Sequence, residues 1–237
     1  MSASHREPQS HSDKSVAKLN SLRAAVLGAN DGIVSVASII LGVAGATSSR
    51  SPILIAGLAA LAAGALSMAA GEYVSVSSQR DTELIKLQKE KNELRNYPSE
   101  ELLELQEIYE TKGLTTNTAK LVAKELTAHD VFAAHADAEL GIDPNYLTNP
   151  WQAAFASATS FLLGALIPFM AILLFPAHIR IPLTFLSVIL ALTLTGLLSA
   201  KASEANKFRS TLRVVMGGAL AMLVTYSIGK LVGSGGA

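Results

Sequence analysis

The sequence contains no cysteine. Its absence excludes disulfides, thiolate zinc sites, iron–sulfur clusters and cysteine nucleophiles, and leaves carboxylate, imidazole, thioether and carbonyl groups as metal ligands. Charge is also scarce: Asp, Glu, Lys and Arg make up 16% of the 237 residues, against about 25% in soluble proteins. Nineteen basic residues balance nineteen acidic ones, so the chain lacks the basic excess of a nucleic-acid binder. No GxxxxGK[ST] loop is present, which excludes a nucleotide-driven pump. The spans defined below contain no HExxH pattern, Ser/His pair or paired aspartates, and all five histidines lie outside them, so an enzyme is not expected. What the chain has instead is apolar surface: 50% hydrophobic residues and a mean hydropathy of +0.37. That combination excludes a disordered chain and argues against an ordinary soluble domain.

Five segments approach the ~20 apolar residues that a membrane-spanning helix needs. They are Ala24–Ala46, Pro52–Ser77, Trp151–Phe175, Ile181–Ala200 and Val214–Val232. The expected fold is an all-α membrane protein with five spans and a helical insert between spans two and three. The chain divides into a polar tail (1–23), spans one and two (24–77), an acidic insert (78–150), spans three to five (151–233) and a short C-terminal tail (234–237). The N-terminal tail has no apolar stretch of signal-peptide type.

Lys and Arg are biased to one side. Arg6, Lys14, Lys18 and Arg23 precede span one, and Lys201, Lys207, Arg209 and Arg213 lie between spans four and five. The opposite side has Arg50, Arg180 and Lys230. The positive-inside rule places the N-terminus and the insert in the cytoplasm and the C-terminus outside. Glycines and alanines within the spans are read as sites of close helix packing.

Residues 80–149 hold 8 Lys/Arg and 14 Asp/Glu, a net charge of −6, and the remainder of the chain carries +6. Span two has no stop at the membrane edge; Leu84, Leu87, Lys91 and Leu94 continue its helical period to Pro98. Ser99 is expected to cap a second helix that Gly113 ends. Two more are expected, Thr118–Ala128 and Asp130–Leu140. Glu90 and Glu93 share a face of the first helix, and Glu101 and Glu104 share a face of the second, beside Glu100 and Glu107. His135 and Glu139 are four apart on the last. Carboxylates from neighbouring helices with an imidazole describe a divalent site of the Fe²⁺ or Mn²⁺ type. The same spacing also describes a solvated acidic surface.

Within the spans, Asp31 lies roughly 10 Å deep at ~1.5 Å per residue. Glu72 lies somewhat shallower in span two, with Met68 four residues before it. Intramembrane carboxylates are costly and mark ion or proton pathways. No Lys, Arg or His lies near the middle of a span to neutralise them, so a mobile cation is the simplest partner. Structural alternatives remain: Asp31 capping a broken helix, Glu72 at headgroup level, Met68 filling a packing gap. His129 reads as structural, and Glu204, His5 and His11 as surface residues.

The stretches LRAAVLGANDGIVSVASIILGVAGA, AGALSMAAGEYVSVSSQRD and RVVMGGALAMLVTYSIGKLVG resemble the vacuolar iron transporter family and its bacterial members, in order and over nearly the whole chain from about residue 20. The resemblance implies a homodimer of five-span protomers with a metal pathway between their first spans, exporting Fe²⁺ and often Mn²⁺ from the cytosol in exchange for protons. It assigns Asp31 and Met68 to the pathway and Glu90, Glu93, Glu101, Glu104 and Glu139 to metal binding in the insert; Glu72 joins the pathway set by its position in span two and not by the resemblance. Two departures stand out. The glutamate that plant-type members carry eight residues before the pathway methionine is Ala60 here, and Glu72 stands where they have glycine. Their methionine pair before the last glutamate is His135 and Ala136 here, a less thioether-like site. The expectation is an integral protein of a bacterial inner membrane, with metal and protons as its ligands, no organic cofactor and no nucleic acid. The alternative is a membrane-anchored metal sensor or buffer that does not transport.

Overall fold

A computed structural model describes the backbone of residues 9–203 and 205–235 and the side chains from residue 25 onward, except residue 202. Arg6 and His5 of the tail, and Glu204, lie outside the described residues; so do the side chains of His11, Lys14, Lys18 and Arg23.

The described chain is helical throughout, in the order α1 (Gln9–Ala46), α2 (Arg50–Asn96), α3 (Pro98–Thr111), α4 (Thr116–Ala138), α5 (Pro150–Leu174), α6 (Arg180–Ala202) and α7 (Lys207–Gly235). Five helices are long and apolar enough to cross a bilayer: the Ala25–Ala46 part of α1, then α2, α5, α6 and α7. Helix α1 starts well before the expected span, so residues 9–23 are helical backbone. Helix α2 has 47 residues, roughly 70 Å at ~1.5 Å per residue, more than twice the ~30 Å of hydrocarbon.

The chain forms two compact units. One contains the segments up to Glu72 and from Gln152 onward. Its helices approach closely because glycine removes the side chain at their crossings. Gly32 and Gly164 sit against the backbones of Phe161 and Ala29, and Gly42 meets Gly229. A Cβ at Gly32, Gly164 or Gly229 would overlap the facing backbone. Rising residue numbers face rising ones along α1/α5 and α1/α7, so these three helices run parallel. Gly57 and Gly64 face Phe169 and Phe161, which makes α2 antiparallel to α5; Gly196 and Gly218 likewise face Thr211 and Leu192, which makes α6 antiparallel to α7. The core joins Ile33, Ile40 and Leu41 of α1 to Ile53 of α2, Phe161 and Ile172 of α5, Leu192 of α6 and Met222 of α7. Such packing is how membrane helices associate when lipid offers no hydrophobic drive.

At one end of this unit, two arginines cross-link the helix turns. The Arg50 guanidinium donates to the Leu173 carbonyl at 2.6 Å, and that of Arg180 to the Ser48 carbonyl at 2.6 Å. Arg180, assigned to a loop by the sequence, begins α6 and is 4% exposed.

The second unit, Tyr73–Trp151, comprises the distal half of α2 with α3 and α4. Leu87, Leu105, Ala119, Ala123 and Ala136 form its apolar interior. Pro98 takes the first position of α3 and Tyr97 its cap, so Ser99 is not the cap. Proline's fixed φ and missing N–H suit that first helical position, where the N–H has no partner in any case. Gly113 ends the α3 turn at φ +99°. The two helices expected over 118–140 merge into α4, but its backbone breaks at Asp130 (φ −158°, ψ 96°). The Asp130 carboxylate accepts the Ala133 N–H at 3.0 Å and caps the second half. Gly141 follows its end at φ +63°, with Ile142 N–H donating to the Ala136 carbonyl and Gly141 N–H to that of Asp137.

Candidate metal site and membrane cavity

In the insert, three chain segments bring four side chains to one point. Glu90 comes from α2, Glu101 from α3, His135 from the second half of α4 and Glu139 from its C-cap. One ligand atom from each lies within 4.8 Å of all the others. Ligands about 2.0–2.2 Å from one ion lie up to ~4.4 Å apart, so small side-chain movements close this set on a single cation. The break at Asp130 matters here, because it sets the direction of the half-helix that carries His135 and Glu139 one turn apart.

The electrostatics are those of a site short of positive charge. Glu90 is 2% exposed and His135 is fully buried. His135 Nδ1 stands 3.0 Å from Glu90 Oε1 and 3.6 Å from Glu101 Oε2. The angles make no hydrogen bond, and Glu90 Oε1 and both His135 nitrogens have no partner. Buried polar atoms without partners are rare and point to a missing ligand. Burial, then the Glu139 carboxylate and its hydrogen bond, push the Glu90 carboxyl up to about 8; Glu101 and Glu93 add to this. Burial also raises Glu101 and Glu104, helped by neighbouring carboxylates. It lowers His135, against the pull of Glu139. A neutral imidazole with one free ring-nitrogen lone pair, beside carboxyl groups that resist ionisation, is an arrangement that can ligate a divalent cation once those groups ionise.

The remaining glutamates expected here fall outside this set. Glu93 is half-buried and pairs with Lys89 at 3.0 Å. Glu104, Glu100 and Glu107 are exposed on α3. Glu93 and Glu104 still act on the cluster through their charge, as the shifts of Glu90 and Glu101 record. Spacing alone cannot rank Glu90 above Glu93, because both lie on the same helical stripe and only the packing of α3 and α4 selects one.

In the membrane unit, a cavity of about 490 Å³ lies along α1, α2 and α7. Asp31 and Met68 both line it, together with Asn30 and Arg213. Glu72, one turn beyond Met68 on α2, is half-buried and is not part of this lining. Arg213 was missed as a site residue because the sequence places it in a loop. Helix α7 begins at Lys207 rather than Val214, which puts Arg213 on its second turn.

A profile of the VIT family matches residues 22–230. A vacuolar iron transporter of Acanthamoeba castellanii is 44% identical over 212 residues, covering 89% of this chain and 78% of that protein. Vacuolar iron transporter homolog 1 of Arabidopsis thaliana is 37% identical, covering 90% and 84%. The VIT-like transporter 1b of Glycine max is 32% identical, covering 90% and 76%. These relatives come from an amoeba and from plants, so they carry no assignment to bacteria. They do indicate a transporter rather than an enzyme, with metal as its substrate. With its membrane-spanning helices and a match over nearly its whole length, the chain belongs to the VIT family of integral membrane transporters.

Proposed function

We propose that the protein exports Fe²⁺, Mn²⁺ or both from the cytosol in exchange for protons, as a homodimer with its N-terminus and insert cytoplasmic. The observation that carries this reading is the shared cavity of Asp31 and Met68. A carboxylate and a thioether at membrane depth can replace part of the hydration shell of a borderline cation, and a thioether disfavours hard Ca²⁺ and Mg²⁺. The iron transporter relatives support the same cargo class.

In this reading Glu90, Glu101, His135 and Glu139 collect metal from the cytosol, with Glu93 and Glu104 drawing cations toward them. Asp31 and Met68 then hold the partly dehydrated ion, and Glu72 lies beside them at the cytoplasmic end of the span. Protons moving the other way discharge it, because a carboxylate must be ionised to bind metal. An anchored sensor or buffer would need only the insert and leaves the cavity's Asp31 and Met68 without a role.

The test is uptake into proteoliposomes loaded with a metal-quenched dye and a pH dye. Metal influx with opposing proton flux, lost in Asp31→Ala while the protein stays folded, is the expected result. Tight metal binding without flux under any gradient would replace transport with the sensor reading.

A further inference from the structure

Among the described residues, Asp31 and Arg213 are the charged side chains that line the membrane cavity. They come from different helices, α1 and α7. Asn30 and Met68 add neutral donors, and the rest of the wall is apolar or glycine. The Arg213 Nε–H donates to the Arg209 carbonyl at 3.3 Å, which turns the side chain along its own helix. Among the described residues, Arg213 makes no ion pair. It therefore shares the cavity with Asp31 without contacting the carboxylate. A guanidinium stays protonated at any physiological pH, so with Asp31 ionised these two lining charges cancel.

We propose that Arg213 is a specificity residue: its fixed charge cancels the long-range pull of Asp31 on monovalent cations, so that only ions the cavity can coordinate are retained. This rests on the transport reading above. A lone carboxylate in a water-accessible cavity attracts any cation, and in the cytosol the abundant ones are monovalent. K⁺ is held by charge and by hard oxygen ligands and gains nothing from a thioether. A borderline divalent ion gains bonds to the Asp31 carboxylate and the Met68 sulfur, which persist when the net field is near zero. Arg213 thus weakens the charge term for both ions, about twice as much for the divalent one, and leaves retention to the coordinate bonds, which include a thioether bond that K⁺ does not gain.

The test compares Mn²⁺ uptake by the full-length protein in proteoliposomes in K⁺ medium and in N-methyl-D-glucamine medium at equal ionic strength. The wild type is expected to show the same KM in both. In Arg213→Gln the KM is expected to fall roughly 3- to 10-fold without K⁺, as one opposing charge is removed, and to rise again when K⁺ is restored. Arg213→Lys keeps the charge without the planar fork and should behave as wild type. A K⁺-dependent KM in the wild type overturns the proposal with transport intact, and this arm needs no variant. An Arg213→Gln KM equal to wild type in both media makes Arg213 a bystander and overturns it. Loss of uptake in both variants, with folding retained, makes its role structural and also overturns it. A wild type that carries no Mn²⁺ is run with Fe²⁺ in the same two media, and one that moves neither ion refutes the transport reading itself.

Discussion

The buried Glu90 carboxyl should make the metal-free insert less stable as pH rises, and Glu90→Gln should remove that penalty. Its folded pKa is about 8, above the ordinary 4.5. Between those values the folded chain holds a proton that the unfolded chain has released, so stability falls as pH rises. His135 acts in the opposite sense. Its folded pKa lies below the ordinary 6.5, so it destabilises the fold only below that value, where the unfolded imidazole takes a proton. Above pH 6.5 the Glu90 contribution therefore dominates. At about 1.4 kcal/mol per unit of pH for one proton, less the part already released near the folded pKa and the residual His135 gain, the loss from pH 6.5 to 8 is on the order of 1.5 kcal/mol.

The assay is thermal unfolding of the metal-free, full-length protein, followed by the fluorescence of its single tryptophan. Trp151 belongs to the insert unit, and its ring centroid lies 4.7 Å from that of Tyr73. For a unit of this size, such a loss lowers the midpoint by roughly 8 °C. Glu90→Gln keeps the shape of the side chain and removes the ionisation. It should unfold at a higher temperature than wild type at pH 8 and lose most of the slope. Saturating Mn²⁺ should reverse the wild-type trend, because ionised ligands bind metal better as pH rises, and should stabilise the variant much less. Equal pH slopes for wild type and Glu90→Gln without metal would refute a buried, proton-holding carboxyl at this position.

Two further substitutions test the packing. Gly229→Ala places a methyl into the Gly42 backbone and should cost about 1–3 kcal/mol of membrane-unit stability, whereas Gly71→Ala meets nothing within 4 Å and should be neutral or stabilising by up to ~1 kcal/mol; thermal denaturation of the purified protein separates the two signs. Asp130→Ala removes the cap on the second half of α4, with an expected loss of about 1 kcal/mol, and should weaken Mn²⁺ binding measured by calorimetry, while Asp130→Asn, which can still accept the Ala133 N–H, should retain both.

The helices were legible because their signals are local. A run of apolar residues defines a span whatever surrounds it, and the five spans and the continuation of α2 toward Pro98 needed no tertiary information. Ser99 misled because a good capping side chain stood next to a proline, and the fixed φ of Pro98 decided where α3 begins. The site residues were legible as a stripe and not as a set. Glu90 and Glu93 have the same side chain, the same helix and nearly the same face; Glu90 is enclosed by α3 and α4, while Glu93 meets Lys89 and solvent.

Arg213 shows the same limit from the other side. Hydropathy averages over a window, so a charged residue at the end of an apolar stretch reads as the loop that bounds it. The helix nevertheless extends through Lys207–Arg213, and its packing on α1 sets the guanidinium in the cavity that holds Asp31. A search for counter-charges near the middle of the spans overlooks a long side chain at a helix end, although its three-methylene stem and guanidinium let arginine act at a depth other than that of its own backbone. The charge balance of a membrane cavity is therefore a property of the helix ends as well as of the spans. Among the described residues, that balance sets one fixed cation and one carboxylate on the wall of the same cavity before any metal enters.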